Sequence, residues 1–470
     1  MSKRDGSQES GRSLFEQRLS RARFLRLVGA GVGLSFIPSS LAVFPGGVAS
    51  AQTAGIPTLL AGPEFPIGLW CPPPPAQTTT QRYKEIATAG FNFVIGGNGI
   101  NTDSTNKTAL NAAKDNVRFV LQDNKLVGLI RDRATQTAVS DRIKQLLRLF
   151  PVTTYPARAG LLLRDEPHTK HFPILEYARG VLQGLESNQL PWVNLYGYTK
   201  DSTLTGVSTY EGYLDLYRNQ VKTPFLSSDH YPLVSDTAIT DVYFLNWATT
   251  RQYALREPSV PLWGFIQSVD FKWSNSSYLP RRRPNEAELF WQVNVALAYG
   301  AKGLQYFTYW TPQDSTSVTF GEALVTEQGK LTSLYDYAKS VNSYLRVVGK
   351  VLLPLTSESV VHAGENTLPR GATAFSPDGY VTSTSGSPVI LGRFRQSAGA
   401  TERYLLVVNR SFSSDAVTQL TLDASVSEVS ELDSSTGTFA RVGLQEPGHS
   451  FQLTIPPGRA RLYLLEKTTS

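Results

Sequence analysis

Strand-like and helix-like segments alternate along the chain from residue 65 to about residue 350. Short, mostly apolar runs typical of strands covered on both faces begin near residues 65, 91, 117, 159, 191, 224, 261 and 302. Each run is followed by a segment with helical periodicity, in places opened by Thr or Pro and closed by Gly. Eight such units predict a (β/α)8 barrel over residues 65–354. A doubly wound open sheet is the alternative, but no G-x-G-x-x-G motif follows the first strand.

The pattern changes after residue 355. Short strand-like runs such as "PVILGRFRQ", "RYLLVVNRSF" and "RARLYLLEK" are separated by Gly, Ser, Asp and Pro. This spacing predicts a small antiparallel β-sandwich, an accessory domain over residues 355–470.

The first 51 residues have the pattern of an export signal peptide. Arg21, Arg23 and Arg26 precede a moderately apolar, Gly-rich stretch, and Ala49 and Ala51 occupy small-residue cleavage positions. The two arginines in "SRARFL" resemble a twin-arginine signal, although Ala22 separates them; an ordinary secretory signal or an uncleaved anchor is the alternative. We therefore expect an exported protein with a linker at 52–64 and no stable membrane insertion after cleavage.

Charge and composition narrow the classes of partner. Removing residues 1–51 takes away seven basic and three acidic residues, so the net charge falls from +6 to +2 and gives no case for nucleic acid. The single cysteine, Cys71, allows no intrachain disulfide. The five histidines show no metal-ligand spacing, so we expect no metal or other cofactor.

The chemistry of this fold lies at the carboxyl ends of the barrel strands. The fourth strand, "AGLLLRDEPHT", runs from apolar residues directly into two adjacent acids and a proline. The candidate residues at the strand ends are Trp70, Asn98, Asp165, Glu166, Asn194, Tyr196, Asp229, His230, Tyr231, Gln267, Asp270, Tyr309 and Trp310. Aromatic faces stack on the C–H faces of sugars, and two carboxyl groups across a barrel mouth can hydrolyse a glycosidic bond. This set therefore predicts a carbohydrate substrate.

Each candidate also has a structural interpretation. Asp165 and Glu166 could cap the helix that follows them, because acids stabilise a helix N-terminus. Asp229 could form an Asx turn. Trp70, Tyr309 and Trp310 could belong to the core of the barrel.

Three stretches resemble retaining (β/α)8-barrel glycoside hydrolases, and in particular the β-galactosidases of glycoside hydrolase family 42. "LLLRDEP" is similar to the strand-four segment in which Asn-Glu carries the general acid/base, with Glu166 at the Glu and Asp165 replacing the Asn. "LWGFIQSVDFKW" is similar to the strand-seven segment that carries the nucleophile. "NEAELFWQVNVALAYGAKGLQYFTYW" is similar to the last helix and strand. The resemblance covers about residues 65–350 and implies glycosidase activity.

The sequence departs from that family at the nucleophile, because Gln267 stands where a glutamate is expected. Another acid could serve, the enzyme could invert by activating water, or the barrel could bind glycans without cleaving them. We assign Glu166 as the general acid and Asp229 as the second carboxylate, with Asp270 as its rival. A sugar isomerase or lyase on the same fold is a further alternative, but the metal cluster or Lys/His base it needs is not visible.

The remaining candidates, apart from Asn194, are expected to bind the substrate. Asp165 would orient Glu166 or bind a hydroxyl, and His230 would bind a hydroxyl or act on Asp229; a structural histidine is the alternative. The expected sugar platform is Trp70, Tyr196, Tyr231, Tyr309 and Trp310, with Asn98 and Gln267 as further polar contacts.

Overall fold

The computed structural model describes residues 55–234, 238–275, 279–446 and 449–467. The predicted signal peptide at residues 1–51 lies outside these ranges. Within them, no helix combines the length and apolar character required to cross a membrane.

Eight parallel strands form a closed barrel, which confirms the predicted fold class. The strands are β1 (Ile67–Leu69), β2 (Phe93–Ile95), β3 (Arg118–Leu121), β4 (Arg158–Asp165), β5 (Leu190–Asn194), β6 (Leu226–Ser228), β7 (Leu262–Gln267) and, after the short β8 (Phe271–Trp273), β9 (Ala301–Phe307). The barrel closes between β5 and β6 through a parallel bridge from Leu195 to Ser228. The Leu195 N–H donates to the Ser227 carbonyl at 2.8 Å.

Ten helices surround or connect these strands within the described residues. They are α1 (Thr80–Thr88), α2 (Asp103–Ala113), α3 (Asn124–Arg131), α4 (Gln136–Leu149), α5 (Phe172–Leu185), α6 (Ser202–Thr205), α7 (Tyr210–Leu216), α8 (Tyr243–Ala254), α9 (Glu286–Ala298) and α10 (Ser333–Leu352). Side-chain caps fix the starts of these helices except α5 and α8. Asp123, two residues after β3, accepts the Leu126 N–H and so begins α3. The Asp123 carboxylate also receives bonds from Arg142, so this acid is structural.

Strand alternation divides the barrel side chains between two apolar layers. The inner layer fills the barrel and includes Phe93, Trp192, Trp263 and Phe265. The outer layer lies between strands and helices and includes residues such as Leu161, Leu163, Val193 and Tyr306. Only side chains of the inner layer can reach the mouth, which is the open end of the barrel at the carboxyl ends of its strands.

The predicted linker packs against the amino end of the barrel. The Thr58 N–H donates to the Asn188 carbonyl at 2.9 Å, just before β5. Leu59 is buried in the inner apolar layer, and Leu60 packs against it. Residues 55–60 therefore form part of the barrel's closed end.

Two antiparallel sheets follow the barrel and enclose their own apolar core. Their strands are β11 (Thr356–Ala363), β12 (Val381–Gly386), β13 (Val389–Arg395), β14 (Glu402–Asn409), β15 (Ala416–Leu422), β16 (Val426–Leu432), β17 (Phe439–Arg441), β18 (Ser450–Ile455) and β19 (Ala460–Lys467). The six-stranded sheet has the order β11-β13-β14-β19-β16-β17, and the three-stranded sheet has the order β12-β15-β18. The predicted β-rich C-terminal region is confirmed.

Helix α9 joins the two parts of the molecule. It is buried from Glu288 to Ala298 because it packs on β7 and β9 on one side and on β13 and β14 on the other. Its Trp291 indole N–H donates to the Arg410 carbonyl at 3.0 Å, and the Asn294 amide donates to the Gly458 carbonyl at 2.9 Å. The apolar cluster around the barrel accordingly continues into Ile390 and Leu406 of the β-domain.

Candidate active site

Two carboxylates meet at one amide group at the carboxyl end of the barrel. Asp165 is the last residue of β4 and pairs with Asn194, the last residue of β5. The Asn194 Nδ2 lies 3.2 Å from the Asp165 Oδ1 and 3.3 Å from the Asp229 Oδ1. Both acids are almost completely buried. The fold thus brings two of the predicted acids together, through a side chain to which the sequence analysis assigned no role.

Glu166 follows Asp165 in an unusual backbone conformation. Its φ is +46°, in the left-handed region that a residue with a side chain seldom occupies. Its N–H donates to the Asn194 carbonyl at 2.7 Å, which continues the β4–β5 pairing past the strand end. Residues held in this way concentrate at functional sites, so the conformation favours a role for Glu166 beyond capping.

The surroundings of Glu166 include the aromatic residues of α7. The Tyr213 hydroxyl donates to the Pro167 carbonyl at 2.6 Å, which fixes the segment immediately after Glu166. Burial raises the pKa of Tyr213 well above its ordinary value, with smaller contributions from three neighbouring tyrosines and then from Glu166. Tyr213 is therefore a neutral hydrogen-bond donor behind the acid.

His230 is held within the structure rather than projecting into solvent. It is buried, its Nε2 is bonded to the Thr240 hydroxyl, and its ring lies 5.6 Å from that of Tyr243. It follows Asp229 directly, so this contact anchors the loop that carries the acid.

Both polar atoms of the Gln267 side chain are hydrogen-bonded to backbone groups. Its Oε1 accepts the Leu233 N–H at 3.0 Å, and its Nε2 donates to the Arg282 carbonyl at 2.7 Å. The side chain is completely buried. Gln267 therefore ties the loops after β6 and β7 together, and its contact with substrate stays a prediction.

The aromatic candidates divide between the two layers. Trp70 packs in the inner layer, 5.1 Å from Trp192 and 6.3 Å from Phe265. Tyr231 is only partly buried, and its ring lies 5.2 Å from that of Phe307. Tyr231 thus remains a candidate sugar-facing ring, with Trp70 beneath the mouth.

Three residues of the expected sugar platform lie in the outer layer instead. Tyr196 packs beside Tyr213, and Tyr309 packs edge-on to Phe91. Trp310 is 2% exposed and lies under the Arg82 guanidinium. The regular pairing of β9 ends at Phe307, and the Tyr309 and Trp310 N–H groups then donate to the Trp70 and Cys71 carbonyls, both at 3.0 Å. Both side chains consequently pack in the outer layer.

Phe307 is an aromatic residue at the mouth that sequence reasoning missed. It shares the inward face of β9 with Gln305, two residues earlier, and packs with Tyr231 and Phe271. Strand alternation in "LQYFTYW" carried this signal, because Tyr306 then has to face outward.

Asn98 and Asp270 lie at the edges of the mouth. The Asn98 amide donates to the Pro72 carbonyl at 2.8 Å and so links the loops after β1 and β2. Asp270 is partly exposed beside a two-stranded ribbon in which β8 pairs with β10 (Val318–Phe320), and its carbonyl accepts the Gly321 N–H at 2.9 Å. This ribbon was not predicted from the sequence.

No set of three or more His, Cys, Asp or Glu side chains in the described ranges is arranged to hold a metal ion.

Comparison with known proteins places the fold among glycoside hydrolases. No family model matches the sequence, and no curated protein matches it significantly. Among solved structures, it is similar to a β-galactosidase from Bacillus circulans sp. alkalophilus, with a TM-score of 0.56 and 10% identity over 86% of this chain and 99% of that one.

Two further structures give the same result. A glycoside hydrolase family 5 protein from Bacteroides vulgatus has a TM-score of 0.54 at 10% identity, over 86% of this chain and 90% of the other. A protein described as a glycoside hydrolase has a TM-score of 0.53 at 10% identity, over 86% and 93%. At this identity the likeness establishes the shared fold.

Proposed function

We propose that this protein is an exported glycoside hydrolase that cleaves O-glycosidic bonds of an oligo- or polysaccharide. The observation that carries the proposal is the convergence of Asp165 and Asp229 on the Asn194 amide, next to Glu166, at the carboxyl end of a closed parallel barrel. Glycosidic bonds are hydrolysed by two carboxyl groups on opposite sides of the scissile bond. The shared fold with known glycoside hydrolases supports the same reaction class.

Glu166 is assigned as the general acid that protonates the leaving glycosidic oxygen. Asp229 then acts either as the nucleophile at the anomeric carbon or as the base that activates water. Asp165 stays bonded to Asn194 and is placed to orient the reacting groups or to bind a sugar hydroxyl. Gln267 has no carboxyl group and uses both polar atoms on the backbone, so it takes no part in the covalent chemistry.

The finer substrate proposal is a β-galactoside. It rests on the resemblance of the β4 and β7 segments to family 42 and on the similarity in fold to the Bacillus β-galactosidase. Tyr231 is proposed to supply the apolar face on which the sugar ring stacks, with Phe307 buried beside it.

A second candidate function is glycan binding without cleavage. The specific observation in its favour is that the strand-seven position expected to carry the nucleophile holds an amide with a structural role. In that case the mouth would hold a glycan and the acids would only bind its hydroxyls.

A glycan-panel hydrolysis assay with NMR detection of the product anomer tests the proposal. We expect turnover by the wild type and its loss in Glu166→Gln, with folding and glycan binding retained. Glu176→Gln is the matched control, because Glu176 is exposed on α5. Binding without turnover of any glycan by the wild type would support the second candidate instead.

Export is proposed from the first 51 residues alone. Mass spectrometry of the protein from its native host should give a mature chain that begins near Gln52. Replacing both Arg21 and Arg23 by Lys should retain the precursor in the cytoplasm if the twin-arginine route is used. Recovery of an uncleaved chain in the membrane fraction would contradict this proposal.

A further inference from the structure

A line of buried hydrogen bonds runs through the barrel interior to the two carboxylates. The Trp192 indole Nε1 lies 2.8 Å from the Gln305 Oε1, and the Gln305 Nε2 lies 3.0 Å from the Ser227 hydroxyl. The Ser227 hydroxyl lies 2.8 Å from the Asn194 Oδ1. The Asn194 Nδ2 then faces Asp165 and Asp229. We refer to Trp192, Gln305, Ser227 and Asn194 as the relay.

The chemistry of an indole determines the direction of every bond in the relay. An indole nitrogen only donates, so Gln305 must present its carbonyl oxygen to Trp192 and its NH2 group to Ser227. The Ser227 hydroxyl accepts that bond and has its own proton left for Asn194. Asn194 is left with its NH2 group directed at the acids. The indole N–H of Trp192 thus determines that Asn194 presents its NH2 group, and not its oxygen, to the two carboxylates.

The relay is closed to water. Trp192, Gln305 and Asn194 have no exposed surface, and Ser227 is 1% exposed. In such surroundings an amide that turned its oxygen toward the two carboxylates would set acceptor against acceptor and withdraw the donor that they share, which is costly. Water cannot compensate for the loss of the indole donor.

We propose that Trp192 is a positioning residue, which orders the relay so that Asn194 holds Asp165 and Asp229 in the geometry for catalysis. This inference rests on the proposed hydrolase function for its effect on rate. Trp192 does not touch the substrate; it acts through the relay.

The inner layer offers a matched control. Trp263 is also completely buried inside the barrel and packs against Phe93 and Phe225. Its indole Nε1 has no hydrogen-bond partner among the described residues. Trp192→Phe and Trp263→Phe therefore remove the same amount of side chain, but only the first removes a donor that makes a hydrogen bond.

The kinetic test compares these two variants on a substrate found in the glycan panel. Trp192→Phe should lower kcat at least tenfold with KM changed less than twofold, and should displace the pH profile of kcat. Trp263→Phe should change kcat less than threefold and leave the profile in place. Ser227→Thr keeps a hydroxyl donor and should retain more activity than Ser227→Ala. Equal effects of the two tryptophan variants would reduce Trp192 to a packing residue and overturn the proposal.

A second measurement does not depend on turnover. The indole N–H resonances of Trp192 and Trp263 can be assigned by NMR from the two phenylalanine variants. Asp229→Asn should shift the Trp192 resonance several times more than that of Trp263, because the change in charge is transmitted through the relay. Equal shifts of the two resonances would contradict the relay, even if the enzyme is active. The expected shift in a protein that shows no turnover would support the relay and refute the hydrolase proposal.

Discussion

The two halves of the barrel mouth bury polar side chains to the same degree but use them differently. On the β4–β6 side, Asp165 and Asp229 meet the amide of Asn194, which leads back into the relay. On the β7–β9 side, Gln267 has both polar atoms bound to loop backbone, and the residue paired with it on the adjacent β9 is the apolar Phe307. Burial alone therefore does not indicate chemistry. The β4–β6 side collects ionisable groups around a directed donor, while the β7–β9 side uses its amide to hold the loops.

The largest expected effect on activity comes from removing the proposed second carboxylate, Asp229, on the β4–β6 side. Asp229→Asn should lower kcat by about 10²–10⁴-fold, since a carboxylate that acts on the reacting atoms contributes on that scale. Asp270→Asn, on the β7 side, should lower kcat less than tenfold. Steady-state kinetics on both variants provides the measurement. The reverse ranking would move the second acid to Asp270.

Trp310→Ala tests the separation of the outer layer from the mouth. The loss of a buried tryptophan should lower the free energy of unfolding by about 3–5 kcal/mol, as measured by urea denaturation. Sugar affinity of the folded protein should be unchanged. A large loss of affinity at unchanged stability would return Trp310 to the sugar platform.

Gln267→Glu tests the structural role assigned to the β7 side. An ionised glutamate cannot donate to the Arg282 carbonyl, and leaving such buried groups unsatisfied should cost about 1–3 kcal/mol of stability. No gain in kcat is expected. Gln136→Glu, at the exposed start of α4, is the control and should leave the thermal midpoint unchanged or slightly raised, because an acid stabilises a helix N-terminus. A stable and faster Gln267→Glu enzyme would show that the position still accepts a nucleophile.

The smallest expected effect is a pH dependence of the free energy of unfolding caused by the buried His171. Burial, with Arg164 and Lys170 nearby, lowers the pKa of His171 from its ordinary 6.5 to about 3. Between these values the unfolded chain binds a proton that the folded chain does not, so stability falls as pH falls below 6.5. We expect about 1 kcal/mol of loss between pH 6.5 and 5, partly screened by solvent. Urea midpoints of wild type and His171→Gln at both pH values measure it, and an equal pH dependence in the variant would remove His171 as the cause.

The repeating pattern of apolar runs was sufficient to predict the barrel and the β-rich region that follows it. It was insufficient where the direction of a side chain depends on where a strand ends. Phe307 and Tyr309 are two residues apart and would share a face in a continuous strand, yet Phe307 packs inside the barrel and Tyr309 outside it, because the regular pairing of β9 ends at Phe307.

The acids of the candidate site could be predicted from the sequence, but the hydrogen bonds that connect them to the relay could not. The abrupt passage from an apolar run into Asp165 and Glu166 indicated the carboxyl end of β4, and Asp229 was found in the same way. Asn194, Ser227 and Gln305 lie far apart along the chain, and only the closure of the barrel between β5 and β6 brings them into contact. Sequence periodicity contains no information about such long-range side-chain bonds.

The position of α9 between the barrel and the β-domain couples the unfolding of the two regions. A helix whose opposite sides belong to two cores cannot leave one without disrupting the other. The two regions should therefore melt in a single calorimetric transition. A chain cut after Leu352 would expose the apolar side of this helix and aggregate rather than yield a working barrel.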